Sequence, residues 1–374
     1  MSLKDSSTRV SIQLSHSFIT NSSVSDPDSA NYGKHLSADE VNKLVAPSAD
    51  SLELVEKWLA SNGIDKTQLT YSPAKDWISI NVPVSKAESL LDTKYSVFQH
   101  NDGSKLLRTT SYGLPQSLHD HIEVVTPTNT FLDLQKAKTS FQPLPPTLEA
   151  RAGRQPDVSK VCNATDVTPT CLRTIYETID YVPSSNGKNK LAFTNFLEES
   201  PNRTDARLYL EEFRPKDVKA ADEFKFVSIA NGTTSQNFSA DHDVEANLDV
   251  QTLLGIAYPI PLTAYSTGGV ASEFTPDLES AENQNEPYDV WLKYVLAQRT
   301  QDIPQVISNS YADNEQTVPR DFAERICKGY AQLGARGVSV LFGSGDSGVG
   351  GVHESTPDQC RSNNGKNSTQ FLPW

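Results

Sequence analysis

The segment Glu245-Ala-Asn-Leu-Asp249 places two carboxylates four residues apart, in a run whose apolar spacing predicts a helix. Residues at positions i and i+4 share one helix face, so these two side chains are predicted to lie side by side. If the pair is partly buried, one carboxyl should retain its proton. Such a pair can act as a general base at low pH, where histidine would be charged. The same spacing also fits an ordinary solvated acidic helix face.

A second candidate is Asp346, in the glycine-rich run Gly343-Ser-Gly-Asp-Ser-Gly that follows the apolar residues 338–342. In sheets of parallel strands, site residues gather beyond the carboxyl ends of the strands. A carboxyl kept neutral there could donate a hydrogen bond to a developing oxyanion. A plain turn that uses aspartate for its local hydrogen bonding is the alternative.

A chymotrypsin-like serine site and a nucleotide-binding site are not predicted, because the sequence lacks residues that each of them requires. Gly345-Asp-Ser347-Gly resembles a chymotrypsin-like nucleophile, but the sequence continues with Val349, and none of the seven histidines lies in a recognisable catalytic context. No Lys-Ser/Thr follows the glycine-rich turn and no G-x-G-x-x-G opens a helix, so a nucleotide site is not predicted.

Composition narrows the class of protein further. The 374 residues contain 33 Lys and Arg against 47 Asp and Glu, a formal net charge of -14, which argues against nucleic acid or an anionic membrane as a partner. No apolar run is long enough to span a membrane, and the N-terminus lacks the apolar core of a signal peptide. Glycosylation sequons nevertheless occur at Asn21, Asn163, Asn202, Asn231, Asn237 and Asn367.

The four cysteines are Cys162, Cys171, Cys327 and Cys360. Four cysteines allow three disulfide connectivities, and four reduced, buried thiols are equally compatible with the sequence. No C-x-x-C motif occurs and the histidines do not cluster near the cysteines, so no metal site is predicted from these residues.

Hydrophobic patterning divides the chain into two predicted domains and a linker. Residues 1–134 alternate strand and helix patterns, which predicts a small α+β sandwich with helices on one face of an antiparallel sheet. Residues 135–160 carry proline and arginine without periodicity and are predicted to be a linker with a processing site. Residues 161–374 alternate short apolar strands with helical patterns, which is typical of an α/β parallel sheet with helices on both faces. The predicted strands are 191–196, 224–229, 305–308 and 338–342, and the predicted helices are 205–213, 241–257, 286–298 and 319–333.

Several long motifs, in order along nearly the whole chain, resemble the sedolisin family of serine-carboxyl peptidases, and within it the fungal tripeptidyl peptidases. Residues 24–41 (VSDPDSANYGKHLSADEV), 55–59, 109–115 and 125–131 resemble the family's activation segment. Residues 168–176 (TPTCLRTIY) resemble the start of the mature enzyme, 245–251 (EANLDVQ) its acidic helix, and 334–350 its oxyanion strand.

The resemblance implies a subtilisin-like fold behind a pro-kumamolisin-like activation domain. It implies Glu245 as general base, Asp249 as its orienting partner, Asp346 as the oxyanion residue, and release of tripeptides from free N-termini of polypeptides at acid pH. It further implies a secreted zymogen whose pro-segment acts as intramolecular chaperone and inhibitor. A secretory setting makes a Cys162–Cys171 disulfide plausible, and Cys327–Cys360 is then favoured over its alternatives.

Two family features are not found in the 374 residues. The family's nucleophilic serine lies in a Gly-Thr-Ser-x-Ser motif downstream of the oxyanion strand, and that motif does not occur. Gly232-Thr-Thr-Ser235 is the nearest lookalike, but it precedes the acidic helix. The family's calcium site is built from residues further downstream, so its ligands are not expected in this chain. We therefore expect a C-terminally incomplete peptidase domain that also lacks its signal peptide.

Two functional hypotheses follow. In the first, the protein is a peptidase with the activity of the family. In the second, the chain is a catalytically inactive proenzyme fragment, or a binding or inhibitory module, because the carboxyl pair has no serine hydroxyl to activate.

Overall fold

The computed structural model describes residues 7–15, 22–99, 105–126, 128, 158–162, 167–184, 187–237, 243–269, 286–311, 318 and 320–343. Within these residues two groups of elements are present, one in residues 7–128 and one in residues 158–343, whose first helix begins inside the predicted linker. No helix among them is long and apolar enough to cross a membrane.

The first group is an antiparallel sheet with helices on one face. Its elements are β1 (Ser7–Leu14), α1 (Ala38–Val45), α2 (Ala49–Ser61), β2 (Thr70–Tyr71), β3 (Trp77–Pro83), α3 (Val84–Leu90), β4 (Ser96–Gln99), β5 (Lys105–Arg108) and β6 (Ile122–Thr126). Four of the strands form a sheet in the order β2-β3-β1-β6, and β4 and β5 form a separate hairpin. This confirms the predicted α+β arrangement.

Alternation in β1 explains how this sheet acquires two different faces. Val10, Ile12 and Leu14 are fully buried and pack with residues of α2 and α3. Ser11 and Gln13 point to the opposite face, and they are also buried. The helices begin where the sequence supplies caps: Ser37 and Glu40 form a capping box at α1, and the Ser48 side chain accepts from the Ser51 backbone N–H at α2.

The second group is a five-stranded, wholly parallel sheet with helices on both faces, as predicted. Its elements are α4 (Val158–Val161), α5 (Pro169–Ile175), β7 (Leu191–Asn195), α6 (Arg203–Phe213), α7 (Ala220–Glu223), β8 (Lys225–Ile229), α8 (Val244–Ala257), β9 (Leu262–Thr267), α9 (Tyr288–Leu296), β10 (Val306–Asn309), α10 (Arg320–Ala335) and β11 (Ser339–Phe342). The strand order is β11-β10-β7-β9-β8, and each neighbouring pair is parallel.

Neighbouring residues of β7 belong to two separate hydrophobic cores. Phe193 packs with residues of α6, α7 and α8, whereas Ala192 packs with residues of α9 and α10. Because successive strand residues point to opposite faces, α8 and α10 must cover opposite sides of the sheet. A five-residue strand therefore serves both cores, which explains its nearly continuous burial.

The sequence patterns do not predict β9, although it lies between β7 and β8 near the middle of the sheet. Its sequence, LTAYST, is rich in hydroxyl side chains and follows Pro259 and Pro261, so it lacks the apolar run by which the other strands are recognised. The carboxyl ends of all five strands meet at one edge of the sheet, and this edge carries the candidate site.

The two groups of elements contact each other through the face of the antiparallel sheet to which Ser11 and Gln13 point, opposite α2 and α3. Lys328 of α10 is 2.8 Å from a carboxylate oxygen of Glu123 in β6. Two cations lie over the Trp77 ring of β3. The Lys293 Nζ atom of α9 is 4.5 Å from the ring centroid, and the Arg325 Cζ atom of α10 is 5.5 Å from it. Cation–aromatic contacts and an ion pair therefore hold the first sheet against α9 and α10.

Candidate active site

Helix α8 carries the predicted carboxylate pair to the carboxyl edge of the parallel sheet. Its buried residues include Ala246, Asp249, Val250 and Leu254, and the last two belong to the core shared with β7 and β9. Glu245 lies in the first turn and is half-buried. The predicted helix and its shared face are thus present, and the pair is not on a fully solvated surface.

Asp249 is a buried carboxyl, and one of its two oxygens accepts a hydrogen bond. Its side chain is 8% exposed, and Oδ1 accepts a hydrogen bond of 2.6 Å from Oγ of Ser310, the residue that follows β10. Oδ2 is buried and has no hydrogen-bond partner among the described residues. Burial raises the pKa of Asp249 to about 7, and the charges of Glu245 and Glu199 add to this rise, while the Ser310 hydrogen bond opposes it.

Glu199 is a third carboxyl at this site, and the sequence patterns did not single it out. One of its oxygens, Oε2, accepts a 3.3 Å hydrogen bond from the backbone N–H of Ala246, in the first turn of α8. Burial raises the pKa of Glu199 to about 7, and the nearby Glu245 and Asp243 raise it further against the effect of the backbone hydrogen bonds. The sequence feature that could have indicated Glu199 is its position, four residues after the end of β7, where the carboxyl edge of the sheet is expected.

The chain turns sharply to bring Glu199 to α8. Leu197 and Glu198 both have positive φ angles, 54° and 64°, in the left-handed region that non-glycine residues rarely adopt. Two successive residues of this kind are expected to be strained, and such strain is concentrated at functional sites.

Two buried tyrosines line the same edge. The Tyr311 side chain is buried, and its pKa lies well above the usual range because of burial and of the nearby Glu199, Asp249 and Glu245. Its carbonyl oxygen accepts from the Tyr288 hydroxyl at 2.6 Å and from Asn309 Nδ2 at 2.5 Å. These bonds hold the segment that follows β10, and with it the Ser310 hydroxyl that binds Asp249.

The remaining predicted site residues are only partly within the described residues. Asp346 lies outside them, four positions after the end of β11, so its predicted oxyanion role stays a prediction. A disulfide joins Cys162 to Cys171, with Cα atoms 4.7 Å apart. Cys327 is exposed and has no disulfide partner among the described residues, and its predicted partner Cys360 lies outside them.

The sequons differ in what surrounds them. Asn231 and Asn237 are exposed, whereas Asn202 is 4% exposed and forms the N-cap of α6. Asn21, Asn163 and Asn367 lie outside the described residues. The predicted glycosylation of all six is therefore untested, but the Asn202 side chain is already hydrogen-bonded within the fold.

Metal binding is not supported by the acidic cluster. Among the described residues, no group of three or more His, Cys, Asp or Glu side chains could hold a metal ion. The calcium site implied by the family resemblance, with its ligands outside this chain, stays a prediction.

Comparison with known proteins shows two kinds of similarity, to a family model and to curated relatives. Residues 19–131 match the family model described as the Pro-kumamolisin activation domain. The chain is 35% identical to Tripeptidyl-peptidase SED2 of Arthroderma otae over 356 residues, which cover 94% of this chain and 57% of the relative. It is also 35% identical to the Probable tripeptidyl-peptidase SED3 of Trichophyton verrucosum, with 94% of this chain and 56% of the relative covered.

The chain thus spans just over half the length of the curated relatives it matches. A solved structure of Pseudomonas sedolisin, a serine-carboxyl proteinase, is 16% identical over 55% of this chain and 50% of its own, with a TM-score of 0.33, which is too low to add to the assignment. The activation-domain match and the relatives that align along nearly the whole sequence agree with the motifs described above. Together these similarities support the assignment of the chain to the sedolisin family of serine-carboxyl peptidases.

Proposed function

We propose that this protein is a serine-carboxyl peptidase that releases tripeptides from the free N-termini of polypeptides at acid pH. The observation that carries the proposal is the buried carboxyl cluster at the carboxyl edge of the parallel sheet, where Asp249 and Glu199 each have a pKa raised to about 7. At about pH 4 both would be protonated, while a histidine base would be charged and unable to accept a proton. The names of the relatives, which are tripeptidyl-peptidases, support the substrate class.

In the proposed reaction Glu245 is the general base. It takes the proton from a serine hydroxyl as the serine oxygen attacks the scissile carbonyl carbon, and the new oxyanion accepts a hydrogen bond from protonated Asp346. The tetrahedral intermediate expels the amine of the remaining polypeptide, which receives the proton from Glu245. Water then attacks the acyl-enzyme, losing its proton to Glu245, and the released serine oxygen recovers that proton. Protonated Asp249 orients Glu245 throughout.

The first group of elements is proposed to be the inhibitory pro-segment. Its match to the Pro-kumamolisin activation domain and its contacts with α9 and α10 through Trp77 and Glu123 support this role. Cleavage within residues 135–160 would release it. Secretion is part of the same proposal and is supported by the Cys162–Cys171 disulfide, since disulfides persist in oxidising compartments.

A second candidate function is favoured by one specific observation, the absence of a Gly-Thr-Ser-x-Ser motif from the 374 residues. In this reading the chain binds peptides or inhibits a related peptidase without cleaving them, because cleavage requires a serine hydroxyl positioned beside Glu245.

One assay separates the two. The chain is acidified and then incubated at about pH 4 with a peptide that has a free N-terminus, and with its N-acetylated form, and released tripeptides are identified by mass spectrometry. The peptidase proposal expects tripeptides from the free peptide alone, abolished by E245Q and retained in the control variant E211Q, which changes an exposed glutamate of α6. Peptide binding without cleavage, insensitive to E245Q, would favour the second candidate.

A further inference from the structure

Asn247 lies between Glu245 and Asp249 in α8, and both polar groups of its side-chain amide are engaged. Oδ1 accepts a 2.8 Å hydrogen bond from the backbone N–H of Asn202. Nδ2 donates a 2.8 Å hydrogen bond to Oδ2 of Asp205, in the first turn of α6. This one amide therefore joins the first turns of α8 and α6.

Asn202, the backbone partner of Asn247, is itself held by its side chain. Its Oδ1 accepts from the backbone N–H groups of Thr204 and Asp205, at 2.8 and 3.3 Å, and so caps α6. Its Nδ2 donates to the carbonyl oxygen of Gln236 at 3.1 Å. Asn247 thus binds a fixed backbone position, which makes it an effective anchor for α8.

Glu199 lies on the short connection between the end of β7 and this anchor. Ser200 Oγ donates to the Ser235 carbonyl at 3.2 Å, and only Pro201 separates Ser200 from Asn202. On its other side, the connection is bent by the left-handed residues Leu197 and Glu198. Any movement of α8 relative to Asn202 would therefore pull the Ala246 backbone N–H away from the Glu199 carboxyl.

We propose that Asn247 is a positioning residue for the carboxyl cluster: it fixes the first turn of α8 against Asn202 and Asp205, and thereby holds Glu199 beside Ala246 and keeps Asp249 buried against Ser310. Asn247 does not contact the reacting atoms. The part of the test that uses peptide hydrolysis rests on the proposed peptidase function, and the other part does not.

Position 247 requires an amide because one of its hydrogen-bond partners is a donor and the other is an acceptor. Asn202 presents a donor, and Asp205 presents an acceptor, so a carboxylate at position 247 would keep the first bond and place its second oxygen against Asp205. That repulsion is relieved only when one of the two carboxyls is protonated. The other charged groups that act on this cluster are also acidic, Glu199 on the connection and Asp243 and Glu245 at the start of α8. Arg203 instead donates to the carbonyl oxygens of Ala221 and Phe224. The N247D variant should therefore be impaired near neutral pH and recover in acid.

The test compares N247A and N247D with L248A, which changes the next residue of α8, one that is 49% exposed. In protein labelled with ¹³C at Asp and Glu carboxyls, NMR titration follows Asp249 and Glu199 directly. We expect N247A to lower both pKa values by at least about one unit, because burial is the largest cause of both raised values and the loosened site admits water. Loss of the Ala246 N–H donor acts in the opposite direction at Glu199 but is the smaller effect. L248A should leave both titrations unchanged, and N247D should approach the wild-type cluster geometry only in acid.

Where tripeptide release is measurable, N247A should lower kcat about tenfold or more with KM changed less than about twofold, since the defect is in orientation and not in substrate binding. A folded N247A protein with unaltered Asp249 and Glu199 titrations would overturn the positioning role, as would an N247D variant that is impaired equally at all pH values. Shifted titrations in a chain that cleaves no peptide would support the role of Asn247 while refuting the peptidase function.

Discussion

The Ser310 hydroxyl donates to Asp249 Oδ1 across 2.6 Å, and this bond links the end of β10 to the second turn of α8. This hydrogen bond matters to the buried Asp249 carboxyl because its other oxygen, Oδ2, has no partner among the described residues. The bond also limits how far burial can raise the pKa of Asp249, since a donor to a carboxylate favours its charged form.

Removing this donor should raise the pKa of Asp249 above its value of about 7. In S310A the carboxylate loses its hydrogen bond but stays buried, so the neutral acid is favoured further, by about one unit. The measurement is the ¹³C NMR titration of Asp249. S308A, which changes another serine of the same strand end, is the control. An unchanged or lowered Asp249 pKa in S310A would contradict the assigned hydrogen bond.

The raised carboxyl pKa values predict that stability falls as pH rises. Asp249 and Glu199 titrate near 7 in the folded protein, against ordinary values of 3.8 and 4.5. Between about pH 4 and pH 7 the folded state therefore binds more protons than the unfolded state, so the free energy of unfolding declines through this window. The Asp249 share is expected to be of the order of 1 to 4 kcal/mol.

Urea unfolding at several pH values from about 4 to 7 measures this dependence, provided that the transition is two-state. D249N keeps the shape of the protonated acid and cannot ionise, so its stability should decline less than that of the wild type. D180N, which changes an exposed aspartate, should follow the wild-type curve. A D249N curve parallel to the wild type would mean that Asp249 is not protonated in the folded protein.

The contact between the first sheet and helices α9 and α10 should depend more on Trp77 than on Glu123. The Lys328–Glu123 ion pair is partly exposed, so its loss in E123Q should cost at most about 1 kcal/mol. W77A removes a large aromatic surface together with cation–aromatic contacts to Lys293 and Arg325, and should cost about 2 kcal/mol or more.

Hydrogen exchange of the intact chain reports this contact locally. Amides of α10 should exchange faster in W77A than in E123Q, and Y32A, which changes a side chain that is 58% exposed, should match the wild type. Faster exchange in E123Q than in W77A would show that the ion pair, and not the aromatic ring, dominates the contact.

Glycan occupancy should distinguish the described sequons. Asn231 and Asn237 are exposed and are expected to carry glycans when the protein is made in a secreting host. The Asn202 side chain uses its amide and carbonyl groups to bind Gln236, Thr204 and Asp205, so a glycan there is incompatible with the folded structure. Peptide mapping of folded, secreted protein by mass spectrometry measures all three, and an occupied Asn202 would contradict the structure.

Local sequence determined much of this protein. The spacing of Glu245 and Asp249 on one helix face, the alternation of β1 and the positions of most strands follow from the periods of helix and strand, which depend only on neighbours along the chain. The motifs that carry the family resemblance are also local. Strand β9 was not predicted, because its sequence is rich in Ser and Thr and lacks an apolar run. Its burial comes from its place between β7 and β8 in the sheet.

Only the tertiary structure decided the chemistry of the site. Glu199 is 46 positions before Glu245 and Ser310 is 61 positions after Asp249, and no periodicity relates residues so far apart. The parallel sheet brings them together because the carboxyl ends of its strands meet at one edge, where α8 covers them. The pKa values follow from that burial, since desolvation depends on every element packed around a carboxyl and not on its neighbours in sequence.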